Sequence, residues 1–152
     1  MLCILAQTAV LQRVSFWGVI PFLFPALAAI PATFEDPASG TAFALVIGVV
    51  CDLLLPGLSP CFYTIVFPLA GLCAALLSQS VLPAGYGCSL ASTSIAFLLT
   101  GLFGCLHLWF QGRTAWGPGM YVALRECLVT LPLTLPMTAL FRAVHRRTHL
   151  DD

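Results

Sequence analysis

"FALVIGVVCDLLLPGLSP" runs from Phe43 to Pro60 and holds a single carboxylate, Asp52, in an otherwise apolar segment. Gly48 lies one helical turn before the acid, and a Pro56–Gly57 break follows it. Residues four apart share a helix face, so a glycine at 48 lets another backbone come close to the acid. An ionised carboxylate inside a bilayer costs about 2.5–3.5 kcal/mol on insertion scales, and must face protein or water or take a proton. Asp52 therefore reads first as a helix-packing and helix-ending device near an interface. A proton or ion site and a partner contact are the other readings.

Composition places this segment among several like it. Hydrophobic residues make up 60% of the 152 residues and charged residues 8%, with a mean hydropathy of +1.01. Soluble domains carry about 25% charged residues, so this chain has too little polar surface to cover a globule in water. The expectation is a single integral membrane domain, 1–152, surrounded by lipid. Net charge is zero, so no long-range field points to nucleic acid.

Charges and helix breakers divide the apolar mass into hydrophobic segments at Met1–Gln12, Val14–Phe34, Thr41–Leu55 (extendable back to Ala38), Pro60–Leu82, Cys88–Phe110 and Met120–Phe141. A span needs roughly 20 residues, so the first is short. The second contains Pro21, Pro25 and Pro31 and is expected to be kinked or partly unwound. The turns between them read "FEDPASG" (Phe34–Gly40), "LPAGYG" (Leu82–Gly87) and "QGRTAWGPG" (Gln111–Gly119). Lipid cannot satisfy backbone polar groups, so runs this long and uniform cross as helices. The predicted fold class is all-α: a polytopic membrane helix bundle of about six transmembrane helices.

Arg142, Arg146 and Arg147 cluster in the tail, about 142–152, which places the C-terminus in the cytoplasm by the positive-inside rule. Arg13 and Arg113 then lie on the opposite side. No basic residue precedes the first apolar run, so a cleaved signal peptide is not expected.

The last segment carries further polar groups. Arg125 either pairs with Asp52 or snorkels to the outer interface, and Glu126 stands beside it. Glu126, Thr130, Thr134 and Thr138 recur every four residues, and Pro132 and Pro136 keep the same interval. The threonine hydroxyls are expected to bond carbonyls freed by the prolines, with a polar cavity lining as the alternative. Gly71 and Ala75, Ala74 and Ser78, and Gly101 and Gly104 read as small-residue faces for close helix packing.

The seven cysteines form no CxxC pair and read as buried packing residues. His107, His145 and His149 have no metal-ligand spacing with acids or cysteines. No HExxH, Walker or nucleophile-elbow motif occurs, motifs that would carry metal, nucleotide or acyl-transfer chemistry. No catalytic residue, cofactor or metal is expected, and the protein is read as a non-enzyme.

The order of these features resembles the MreD family of rod shape-determining membrane proteins of bacteria. The opening "LAQTAVLQRVSFWGVIP" is similar to the end of that family's first helix and the start of its second. "GVVCDLLLPGLSP" is similar to its G-x-x-x-D-L-L signature followed by a glycine turn, matching Gly48, Asp52, Leu53, Leu54 and Gly57. The size and the basic tail also fit. The resemblance implies a non-catalytic scaffold of the cell-elongation complex in the inner membrane. It would bind an MreC-like bitopic membrane protein and work beside MreB-type filaments, a wall polymerase and a transpeptidase. The family is also distantly similar to the substrate-binding membrane subunits of vitamin transporters, and such a subunit is the alternative. On the packing reading, Asp52→Asn is expected to keep the fold largely intact and Asp52→Leu to impair it.

Overall fold

A computed structural model describes residues 22–55, 61–80, 85–112 and 116–148. The elements are α1 (Phe24–Ala32), α2 (Pro37–Leu54), α3 (Phe62–Ser80), α4 (Tyr86–Phe110) and α5 (Trp116–Thr148). No strand occurs among these residues. The fold is a helical membrane bundle. Four of its helices are long and apolar enough to cross a membrane: α2, α3, α4 and the Trp116–His145 part of α5.

The expected count of about six spans is not met among the described residues. The first segment, Met1–Gln12, lies outside them, as do residues 14–21 of the second. What is described of that second segment is the nine-residue α1, with every residue buried. Its prolines frame it: Pro25 sits in the first turn and Pro31 one residue from the end, where a missing N–H or a break is tolerated. A helix apolar on all sides belongs inside a protein, and α1 touches all four of the other helices. Phe24, Leu27 and Ile30 pack there with Ile47, Val66, Phe67 and Met137. Ala29 and Ala32 meet Ala70, Ala74 and Ala96.

Two turns are shorter than the sequence suggests. Pro37 opens α2 with Asp36 as its cap residue, so half of the "FEDPASG" stretch is helical. Trp116 opens α5, which takes "WGPG" into its first turn. The first amides of a helix have no intrahelical partner, so Pro118 costs nothing there. At its other end α5 continues through Thr148, and much of the polar tail is therefore helical. The Phe34 and His145 rings lie 6.0 Å apart, which puts the α1–α2 turn and the end of α5 on one side of the bundle.

Glycine faces set several approaches. A Cβ at Gly40 would lie 2.7 Å from Ala32 Cα, one at Gly71 2.8 Å from Ala44 Cβ, and one at Gly101 2.8 Å from Ala123 Cβ. Gly104 faces open space, so the contact expected of it is not made.

Candidate functional site: a carboxylate that joins two helices

Asp52 sits in the last turn of α2, half-buried. Its Oδ1 accepts the Tyr63 backbone N–H at 3.0 Å, and its Oδ2 accepts the Thr64 N–H at 2.8 Å and the Thr64 hydroxyl at 2.6 Å. Tyr63 and Thr64 are the second and third residues of α3, whose first-turn amides have no partner within the helix. A residue at the cap position usually supplies an oxygen to them. Here that position is Cys61, which has a left-handed φ of 65° and no oxygen to offer. The carboxylate of the preceding helix does the work instead, and its charge suits the positive end of the α3 dipole.

Gly48 makes the geometry possible. A Cβ there would lie 2.6 Å from the Tyr63 carbonyl oxygen and 2.9 Å from Thr64 Cα. Those are backbone atoms and cannot rotate away. The glycine and the acid, one turn apart on α2, thus hold the same two residues of α3, one by steric absence and one by hydrogen bonds. Leu53 and Leu54 turn outward at 81% and 48% exposure. Gly57 and the Pro56 break lie outside the described residues.

The threonine line is buried at Thr130, Thr134 and Thr138. Each hydroxyl donates to its own helix: Thr130 to the Glu126 carbonyl at 2.7 Å, Thr134 to Leu131 at 2.6 Å and Thr138 to Thr134 at 2.7 Å. The carbonyls freed by Pro132 and Pro136 belong to residues 128 and 132, so the expected rescue is corrected: the hydroxyls cap neighbouring carbonyls. Thr130 also ties α5 to the start of α1 by accepting the Phe22 N–H at 3.3 Å. Glu126 is half-buried on the same helix, within electrostatic reach of Tyr63. Arg125 lays its guanidinium over the Tyr121 ring at 5.6 Å, while the bonds accepted by Asp52 come from α3.

Tyr63 completes the cluster with aromatic contacts to Phe22, Phe62 and Phe67, at centroid distances of 5.8, 5.1 and 5.3 Å. Sequence reasoning missed Tyr63 and Thr64 as partners of the acid. The signal was an omission: α3 begins after "PC", with no Ser, Thr, Asp or Asn at its cap position.

No family model, curated protein or solved structure matches this chain. Its chemistry is therefore read from its own geometry. Among the described residues no group of His, Cys, Asp and Glu side chains converges as a metal site. Cys51, Cys88, Cys105 and Cys127 are buried free thiols, Cys73 is half-buried and Cys61 is exposed.

Proposed function

We propose that this protein is a non-catalytic membrane scaffold of the MreD type, serving the cell-elongation complex in a bacterial inner membrane. In this reading it binds a single-span, MreC-like partner and links it to peptidoglycan synthesis, with the C-terminus in the cytoplasm.

One observation carries the proposal. The acid of the motif is committed to structure, since both of its oxygens are engaged by the first turn of α3. The motif's Leu53 and Leu54 meanwhile offer apolar surface outward beside it. An acid held by hydrogen bonds beside exposed leucines suits holding a partner better than moving a proton. The threonine hydroxyls, each turned to its own backbone, favour the scaffold over a transporter subunit, which needs convergent donors and acceptors at mid-depth.

The test is a mild-detergent pull-down from the native host through a tag on the C-terminus, read by mass spectrometry. Recovery of a bitopic MreC-like protein with wall-synthesis enzymes is expected. Recovery of ATP-hydrolysing subunits with a membrane coupler would overturn the scaffold and favour the transporter alternative.

A further inference from the structure

A groove of about 410 Å³ runs between α4 and α5. Phe97, Leu98, Leu124 and Leu128 form its walls, with Tyr121 at one end and Leu131 at the other. Its volume falls within the ~300–1,000 Å³ typical of small-molecule sites. Beside it α4 and α5 pack closely, with Gly101 against Ala123 and Gly119 against Cys105.

Depth identifies the occupant. From Tyr121 to Arg142, α5 is about 32 Å long at ~1.5 Å per residue, close to the ~30 Å hydrocarbon core of a bilayer. An aromatic residue at one end of that length and an arginine at the other suit the two interfaces. The groove, from Tyr121 to Leu131, covers about 15 Å, or one leaflet. A transmembrane helix crosses both leaflets and, at ~10–12 Å across, cannot enter a slot between neighbouring packed helices. A single acyl chain runs from interface to midplane and can.

The mouth adds a charge. Arg125 points back along α5, as helical side chains do, and its guanidinium stacks on Tyr121, a lining residue of the groove. A guanidinium has five N–H donors and pairs with phosphate through two of them at once. It can hold its contacts within the chain and still meet a headgroup. We propose that the α4–α5 groove binds one acyl chain of an anionic phospholipid, with Arg125 holding the phosphate at the interface. This site is independent of the scaffold reading.

The test is native mass spectrometry of the full-length protein in mild detergent, titrated with phosphatidylglycerol or phosphatidylcholine of identical acyl chains. The expected result is one tightly held phosphatidylglycerol and weaker phosphatidylcholine. Arg125→Gln should weaken phosphatidylglycerol about five-fold, the effect of one cation near an anionic headgroup, and phosphatidylcholine, whose phosphate is offset by its choline cation, by less. Leu128→Trp fills the groove from an exposed position and should remove the tight adduct. Equal binding of the two lipids, unchanged phosphatidylglycerol affinity in Arg125→Gln, or a tight adduct persisting in Leu128→Trp would each overturn the proposal.

Discussion

One oxygen of Asp52, Oδ2, accepts both the backbone N–H and the hydroxyl of Thr64, at 2.8 and 2.6 Å. The other oxygen takes the Tyr63 N–H. An asparagine has one acceptor oxygen and a donor amide, so Asp52→Asn keeps one side of this pair and sets an NH2 against an N–H on the other. Leaving one half-buried donor unmet costs about 1–3 kcal/mol. Asp52→Leu leaves all three donors unmet and is expected to cost more than Asn. Reversible unfolding in mixed micelles should rank wild type above Asn above Leu; equal stability of Leu and wild type would refute the capping role.

Gly48 and Gly104 provide a matched pair. Gly48→Ala drives a methyl into the Tyr63–Thr64 backbone and forces α2 from α3, at a cost typical of overpacking, about 1–3 kcal/mol. Gly104→Ala meets nothing and should stabilise α4 by up to ~1 kcal/mol. Thermal melts of the two variants are expected to move in opposite directions.

Cys61 has a φ of 65°, a conformation that costs L-residues about 1–2 kcal/mol and glycine almost nothing. Cys61→Gly is expected to raise the melting temperature, and Cys61→Val to lower it. No change in either would show that the turn is not strained.

Thr130 and Thr134 are equally buried but differ in what depends on them. Thr130→Val strands the Phe22 N–H and should cost about 1–3 kcal/mol. Thr134→Val removes a bond to its own helix, with a smaller expected loss. Hydrogen exchange at the Phe22 amide should rise in the first variant only.

The sequence made the bundle legible because charge and hydropathy fix where a chain can sit in lipid. The four spanning helices fall within a few residues of the apolar runs that predict them. The close approach at Gly48 was readable from its spacing to Asp52. The partners of the acid were not, because a hydrogen bond between helix ends depends on how the chain returns after Pro56. The Val14–Phe34 run has the length of a span, but run length does not say where prolines interrupt a helix. Its small alanine side chains let four neighbours close around α1. The groove was invisible because it depends on how the side chains of two packed helices fit together, and Gly101 and Gly104 looked alike until the structure separated them.

The Asp52 cap joins residues 12 apart in sequence, whereas the Thr130 contact with Phe22 joins residues 108 apart. During synthesis from the N-terminus, the acid meets its donors almost as soon as it leaves the ribosome, and α2 and α3 can enter the bilayer together as a sealed hairpin. The segment made before them must wait, its Phe22 amide unmet until α5 arrives. Chains stalled before residue 130 are therefore expected to protect the Tyr63 and Thr64 amides yet leave Phe22 open to exchange, so that the part made first is locked last.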